Sequence, residues 1–165
     1  MNIEIVSMTE NHWPTVREIY LAGIQGGMAT FETEAPSWEG WNAKHLPFAR
    51  IAAVVDGAIK GWAALSPVST RAVYSGVAED SVYVATDAQG LGVGRALLSN
   101  LIAESEANGI WTLQNSIFPE NAASIKLHLA FGFREVGYRE RIAQLNGVWR
   151  NTIFMERRSK IAGAE

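Results

Sequence analysis

Residues 77–95, VAEDSVYVATDAQGLGVGR, contain the stretch that decides the fold of this chain. Residues 77–84 are rich in β-branched and apolar side chains and predict a strand. A polar turn follows, and then the glycine-rich segment 89–95 opens the clearest helix of the chain, predicted over 92–108 from apolar residues at helical spacing. A glycine-rich turn lets a ligand approach the backbone, and the first N–H groups of a helix carry partial positive charge. This order predicts a phosphate or pyrophosphate site, where Arg95 can add a charged hydrogen bond.

The glycine segment allows several interpretations when it is taken alone. A dinucleotide-binding turn requires GxGxxG, whereas the chain reads GLGVGR, and no Gly-Lys-Ser/Thr follows as in a P-loop. A tight strand-to-helix turn that binds nothing stays open. The third interpretation is a pyrophosphate loop of the form Gln/Arg-x-x-Gly-x-Gly/Ala, which residues 89–94 match in full.

The flanking sequence predicts an α/β (α+β) fold with a mixed sheet. Strands are predicted at 3–6, 51–55, 58–65, 77–84, 110–117, 134–143 and 148–155, and helices at about 9–22, 38–45, 92–108 and 121–131. The pairs Asp56-Gly57 and Asn146-Gly147 are typical of two-residue hairpin turns. Without any repeat or linker, we expect a single domain over 1–156 and a frayed tail over 157–165.

Composition excludes several classes of protein. The 165 residues are 48% hydrophobic and 19% charged, which suits one folded domain rather than a disordered chain. No apolar run is long enough to span a membrane and no secretion signal is evident, so we expect a cytoplasmic protein. The net charge of −3 argues against a nucleic-acid binder. With no cysteine and no HExxH pair among three histidines, we expect no metal site.

The glycine segment and several other parts of the chain carry a resemblance to a known family. Residues 89–94 resemble the pyrophosphate loop of the GCN5-related N-acetyltransferases (GNAT family). The family's second signature is a helix that runs into Gly-Phe, and the chain matches it at Asn121, Ser124, Leu127-His128 and Gly132-Phe133. Residues 79–84, residues 29–32, Arg71, Tyr74 and residues 147–149 are similar to the branch that acetylates phosphinothricin and methionine sulfoximine. The resemblance covers residues 3 to about 156.

The resemblance implies a GNAT fold: a mostly antiparallel central sheet flanked by helices, with splayed strands that form an acetyl-CoA cleft. The residues expected to bind this cosubstrate are Val82, Tyr83, Val84, Gln89, Gly90, Leu91, Gly92, Val93, Gly94, Arg95, Asn121 and Ser124. The backbone N–H near Val84 is expected to stabilise the developing oxyanion. Leu91 departs from the family, which usually has a basic residue at that position.

The resemblance also implies two residues for the chemistry. A free amine is largely protonated at neutral pH, so its attack on a thioester requires a base, and Glu79 is the candidate. The alternative is a solvated residue at the end of a strand. His128 stands where many relatives carry a tyrosine and is expected to protonate the departing thiolate. The alternative is a histidine packed on its helix and hydrogen-bonded to the backbone.

The expected acceptor is a small amino-acid analogue such as phosphinothricin, methionine sulfoximine, methionine sulfone or arsinothricin. The residues expected to contact it are Phe31, Glu32, Arg71, Tyr74 and Trp149, with Arg71 as the partner of the acceptor carboxylate. No acidic role is expected at Asn151, where the branch often has a carboxylate. Other amine acceptors (a protein N-terminus, a polyamine or an aminoglycoside) and a non-catalytic CoA-binding module stay open. The resemblance implies a homodimer.

Overall fold

The computed structural model describes residues 1–163, which form one seven-stranded sheet with helices on both faces. The strands are β1 (Ile3–Ser7), β2 (Ile51–Val55), β3 (Ala58–Pro67), β4 (Val77–Val84), β5 (Thr112–Ile117), β6 (Arg134–Leu145) and β7 (Val148–Arg158). The helices are α1 (Trp13–Gly26), α2 (Trp38–Lys44), α3 (Val93–Ala107) and α4 (Ala122–Ala130). The strand order is β1-β2-β3-β4-β5-β7-β6, and only β4 and β5 run parallel. The predicted mixed, mostly antiparallel sheet is confirmed.

Two hydrophobic clusters hold the helices to the sheet. On one face, Leu97, Leu98 and Leu101 of α3 are fully buried against residues of β2 to β5. On the other face, α1 and α2 pack through a cluster that includes Trp41 and Trp62, and Trp62 stacks on Tyr83 of β4 with ring centroids 4.8 Å apart. Burial of side chains of this size contributes about 1.5–3 kcal/mol each. Strand β4 is therefore fixed from both sides. Over residues 1–163, none of the helices has the length and apolar content to cross a membrane.

β4 and β5 pair over only three residues and then separate. Residues Val77, Ala78 and Glu79 pair with Thr112, Leu113 and Gln114, whereas the rest of β4 stays with β3 and the rest of β5 pairs with β7. The paired end closes on Gly76, whose carbonyl accepts from the N–H groups of Trp111 and Thr112 at 2.9 and 3.0 Å. The indole of Trp111 lies so close that a Cβ on Gly76 would come within 2.2 Å of it. The sheet is thus opened into a V between β4 and β5, as the resemblance implies.

Several predicted boundaries are wrong. Helix α1 extends to Gly26, beyond the predicted end at 22, and Gly27 with φ +71° ends it. The predicted frayed tail is corrected over 157–159: β7 continues to Arg158, and the buried Ser159 donates its N–H to Trp111 at 2.7 Å and its hydroxyl to Glu106. These hydrogen bonds hold the segment in place. Because they involve single polar groups, no hydrophobic pattern in the sequence predicts them. Residues 160–163 have no regular secondary structure, but the N–H groups of Ile161 and Ala162 donate to the Ser159 hydroxyl at 3.1 and 2.9 Å. Residues 164–165 of the predicted tail lie outside the described residues.

Candidate acetyl-CoA cleft and active site

The opening between β4 and β5 forms a cleft of about 1350 Å³. It is walled by residues 79–84 of β4, residues 114–117 of β5, the glycine segment with the start of α3, most of α4, and the loop 28–32. This volume is somewhat larger than the roughly 300–1,000 Å³ that is typical of small-molecule sites. Nearly all of the predicted cosubstrate residues line it: Val82, Tyr83, Val84, Gln89, Gly90, Gly92, Val93, Gly94, Arg95, Asn121 and Ser124. Leu91 is exposed and does not line the cleft.

The glycine segment keeps its shape because of backbone dihedral angles rather than close packing. Gly90 and Gly92 have φ of +77° and +88°, which other residues adopt only with strain, and a Cβ at either position would meet nothing within 4 Å. Gly92 caps α3, and the first bond inside the helix runs from the N–H of Ala96 to the Gly92 carbonyl. The N–H groups of residues 93–95 therefore have no partner inside the helix at this wall of the cleft, which suits an anionic group.

The start of α4 forms the facing wall. Asn121 caps the helix, with its side-chain oxygen accepting from the Ser124 N–H at 3.2 Å. Its amide nitrogen donates to the Met28 carbonyl at 3.1 Å, which ties the helix to the loop 28–32. Arg95 lies over the ring of Phe131 at 5.2 Å and joins α3 to the far end of α4. Both predicted polar residues on α4 thus lie on the cleft.

Glu79 lies at the vertex of the V, where the pairing with β5 ends. The residue is exposed by surface area, but the cleft walls surround its carboxyl group, and the resulting desolvation raises the pKa of that group. The neighbouring charge of Asp80 raises that pKa further, and the charge of Lys44 opposes the shift. A carboxylate with a raised pKa beside a cleft is suited to accept a proton near neutral pH.

Lys44 supplies the positive charge at the Glu79 end of the cleft. The cations that line the cleft are Lys44, Arg95 and Lys126. Arg95 and Lys126 lie on α3 and α4, whereas Lys44 ends α2 and pairs with Glu32 at 3.2 Å. The adjacent His45 adds no charge, because burial lowers its pKa to about 4. The sequence analysis missed Lys44, since no local motif marks the last residue of a short helix as part of a distant site.

The loop that carries Phe31 and Glu32 is held against the cleft by Arg150. Phe31 packs edge-on against Phe118 at 4.8 Å, and the Arg150 guanidinium lies over Phe118 at 3.9 Å. Arg150 also donates to the Gly27 carbonyl at 3.0 Å and pairs with Glu120 at 3.6 Å. Phe31 and Glu32 therefore line the cleft, and Arg150 is a supporting residue that sequence patterns did not reveal.

Three of the residues predicted to bind the acceptor do not line this cleft. Arg71 lies over the ring of Tyr74 at 5.5 Å, on the turn between β3 and β4. Tyr74 borders a second cavity of about 450 Å³, which shares Val68 and Gln114 with the cleft. Trp149 is 53% exposed and pairs with Gln144 near the turn of the β6–β7 hairpin. The resemblance implied a role for these three residues in binding the acceptor, and none of them lines the cleft that holds Glu79.

His128 lies on the cleft and is bonded at both ring nitrogens. It is 1% exposed, its Nδ1 lies 2.7 Å from the Ser124 carbonyl oxygen, and its Nε2 lies 2.7 Å from Oδ2 of Asp80. Asn115 of β5 donates to the same Asp80 oxygen at 3.3 Å. Burial disfavours the charged ring, but the Asp80 carboxylate and the two hydrogen bonds outweigh it, so the pKa of His128 is raised. Sequence analysis identified His128 but not Asp80.

The chain is similar to several N-acetyltransferases in sequence and in fold. The phosphinothricin N-acetyltransferase of Alcaligenes faecalis is 35% identical over 153 residues, which cover 87% of this chain and 76% of that protein. A solved phosphinothricin acetyltransferase of Sinorhizobium meliloti, in complex with acetyl-CoA, has a TM-score of 0.89 at 28% identity and covers 100% of this chain and 92% of that one. The ribosomal-protein-alanine N-acetyltransferase of Brucella melitensis has a TM-score of 0.87 at 30% identity, with 94% and 99% coverage.

The family model described as the acetyltransferase (GNAT) family matches residues 13–133. This range contains β4, the glycine segment, α3, α4 and the two residues Glu79 and His128. It holds most of the cleft walls, so the match covers the part of the chain that the geometry marks as the site. The chain belongs to the GNAT family of acetyltransferases.

Proposed function

We propose that this N-acetyltransferase transfers the acetyl group of acetyl-CoA to the α-amine of small amino-acid analogues such as phosphinothricin, methionine sulfoximine, methionine sulfone or arsinothricin. The observation that carries the proposal is the arrangement of one cleft: a glycine-rich helix start at one end, and Glu79 beside Lys44 at the other. The similarity to two phosphinothricin acetyltransferases supports the acceptor class. The cytoplasmic location stays a prediction.

The cleft residues fit acetyl-CoA, which supplies an acetyl thioester as the group to be transferred. The open N–H groups at the start of α3 and the space around Gly90 and Gly92 suit its pyrophosphate. Residues 82–84 leave the edge of β4 free on the β5 side, where backbone groups can pair with an extended chain of amides. In this arrangement the N–H near Val84 stabilises the developing oxyanion.

Glu79 acts as the base and Lys44 orients the acceptor. Glu79 removes a proton from the α-ammonium group directly or through a water, so that the neutral amine can attack. An amino-acid acceptor also carries a carboxylate, and Lys44 is the cation placed to bind it at this end of the cleft. Glu32 holds Lys44 and Phe31 forms an apolar wall. His128 protonates the departing thiolate.

The similarity to the Brucella melitensis enzyme favours a protein N-terminus as the second candidate acceptor. Such an acceptor presents an amine without a neighbouring carboxylate, so it has no use for Lys44. The two candidates therefore differ in their dependence on one cation. A free amino acid and a short peptide with the same first residue form the discriminating pair of acceptors.

We also infer that the chain forms a homodimer through its β6–β7 hairpin. The support is a group of exposed apolar side chains on these two strands, comprising Val136, Tyr138, Ile142, Val148 and Trp149. Exposed apolar groups of this kind favour a partner surface. Light scattering on the eluted protein is expected to give twice the mass of one chain, and Trp149→Glu is expected to shift the mass towards one chain. A single-chain mass for the wild-type protein at micromolar concentration contradicts the inference.

The proposed function is tested by following thiol release from acetyl-CoA with a colorimetric reagent. The chain has no cysteine, so the protein adds no background. The acceptors are phosphinothricin, methionine sulfoximine, methionine sulfone, glutamate, spermidine and a short peptide. Release with the three analogues and an acetylated product by mass spectrometry are expected. Release with the peptide or spermidine alone replaces the acceptor, and silence with tight acetyl-CoA binding favours a binding module.

A further inference from the structure

Asp80 lies next to Glu79 in sequence but on the opposite face of β4, because side chains alternate along a strand. Glu79 points to the side of Lys44 and Asp80 to the side of α4, where it meets His128. Asp80 is 2% exposed and lines the same cleft. A buried carboxylate requires strong compensation, so its presence here requires a physical reason.

The hydrogen bonds of His128 and Asp80 indicate how many protons the two side chains share. A carbonyl oxygen only accepts, so the Nδ1 of His128 must carry a hydrogen to bond with Ser124 at 2.7 Å. The 2.7 Å contact between Nε2 and Oδ2 of Asp80 needs one more proton. Asn115 donates to the same oxygen, which favours the carboxylate form of Asp80. The arrangement is therefore an imidazolium paired with a carboxylate.

The groups around the His128 ring favour its ion pair with Asp80. The groups that face the His128 ring are Asp80 from β4, Asn115 from β5, Ser124 from α4 and Phe133 at the end of the following turn. Of these four residues, Asp80 is the one with an ionisable side chain. The second oxygen of Asp80, Oδ1, is buried and has no hydrogen-bond partner among the described residues. Removal of the His128 charge thus leaves a poorly compensated carboxylate inside the protein, which opposes that removal.

We propose that Asp80 is a positioning residue that keeps His128 protonated on both ring nitrogens within the cleft, so that the pair holds the proton delivered to the departing thiolate. This inference rests on the proposed function and adds a residue to it. The pKa of His128 agrees in direction, since the effect of burial is outweighed by Asp80. The Asp80 side chain also bridges the V at the first residue after the β4–β5 pairing ends.

Acetyl transfer makes one bond and breaks one. The amine nitrogen bonds to the acetyl carbon, and the carbon–sulfur bond breaks with its electron pair on sulfur. The proton on Nε2 of His128 passes to sulfur and gives the free thiol of CoA, which leaves neutral His128 with its Nδ1 hydrogen and the Asp80 carboxylate. Glu79 has by then released to solvent the proton that it took from the α-ammonium group, so it can accept the second proton, which the nitrogen loses as the amide forms. Glu79 releases that proton to solvent, and the pair takes one proton back from solvent.

The first test uses the wild-type protein and nitrogen NMR of the histidine rings. At pH 7.5 both ring nitrogens of His128 are expected to show the shifts of a protonated imidazolium, with a titration midpoint above the ordinary value of about 6.5. His45, whose pKa is lowered to about 4 by burial, is expected to show the shifts of a neutral ring at the same pH. A His128 ring that is neutral at pH 7.5 overturns the inference, whatever the enzyme does with its acceptors.

The second test replaces Asp80→Asn, which keeps the size of the side chain and removes its charge. The His128 midpoint is expected to fall below 6.5, because burial then dominates. The basic limb of the kcat profile is expected to move to lower pH by one unit or more, with kcat at pH 7.5 at least tenfold lower and KM for acetyl-CoA changed less than threefold. Asp80→Glu is expected to restore part of the loss. Asp87→Asn, an exposed carboxylate after the same strand, is the matched control.

The outcomes separate the inference from the proposed function. An active enzyme in which Asp80→Asn keeps the wild-type kcat profile and a charged His128 overturns the inference and leaves the function intact. A wild-type protein that acetylates none of the amines but shows a charged His128 overturns the function instead. If Asp80→Asn does not fold, Asp80→Glu and the nitrogen NMR of His128 decide: a His128 midpoint that does not move in Asp80→Glu overturns the inference, and a lowered midpoint together with a lowered kcat supports it.

Discussion

The two halves of β4 are held against β5 in different ways. Over residues 77–79 the strands share a backbone ladder, closed by Trp111 on Gly76. From residue 80 onward there is no ladder, and the strands are bridged by the side chains of Asp80, Asn115 and His128. Backbone pairing satisfies its own polar groups, whereas separated strands leave polar groups free for a ligand. The closed half thus provides rigidity, and the open half provides the site at a fixed distance from it.

Glu79 marks the border between the halves, and its replacement by Gln is expected to have the largest effect. Without the base, kcat/KM is expected to fall by about 10²–10⁴-fold. Because the pKa of Glu79 is raised, the wild-type acidic limb lies above the ordinary glutamate range, and activity is lost as pH falls through it. This limb is expected to disappear in the variant. Acetyl-CoA affinity, measured by calorimetry, stays the same, and the exposed Glu4→Gln is the control. Full activity in Glu79→Gln contradicts the assignment.

Gly76→Ala is expected to break the closed half. The new Cβ would come within 2.2 Å of the Trp111 ring, so the indole must move, at an expected cost of about 3 kcal/mol in the free energy of unfolding. Urea denaturation measures this change. Gly137→Ala is the control, since a Cβ there meets nothing within 4 Å. Equal stability of the two variants shows that the Trp111 contact does not hold the vertex.

Gly92→Ala is expected to affect the open half. Its φ of +88° costs alanine about 1–2 kcal/mol, although the site has room for a methyl group. We expect the Kd for acetyl-CoA to rise about tenfold if relaxation of this strain turns the α3 N–H groups away. Gly109→Ala, with φ +78° at the other end of α3, carries the same strain far from the cleft. A matching loss of affinity in both variants removes the special role of the glycine segment.

Lys44→Gln is expected to have the smallest effect on activity. Lys44 acts on Glu79, at the border between the closed and open halves of β4. The charge of Lys44 lowers the pKa of Glu79, so its loss raises that pKa and moves the acidic limb of kcat/KM to higher pH. The KM for phosphinothricin is expected to rise a few-fold, and Lys44→Arg to restore it. Lys160→Gln, an exposed lysine, is the control. An unchanged KM for phosphinothricin in Lys44→Gln rules out Lys44 as the carboxylate partner.

The local motifs of the site could be predicted from the sequence better than its long-range contacts. Residues 89–94 and Asn121 form local motifs, because a helix start and its cap are set by neighbouring residues. Lys44, Asp80 and Arg150 act through contacts with residues 12 to 123 positions away, and no local pattern marks such contacts. The course of residues 157–159 was missed for the same reason. Arg71, Tyr74 and Trp149 were implied by the family resemblance, and none of the three lines the cleft in the folded chain.

Amide hydrogen exchange, followed by NMR with and without acetyl-CoA, tests the division of β4 most directly. We expect acetyl-CoA to slow exchange at least tenfold at those amides of residues 80–84 that are not hydrogen-bonded to β3. The amides of residues 77–79 and 112–114, already paired in the ladder, are predicted to change little. Equal slowing in both halves, or slowing confined to residues outside the cleft, contradicts the assignment of the open half as the acetyl-CoA site.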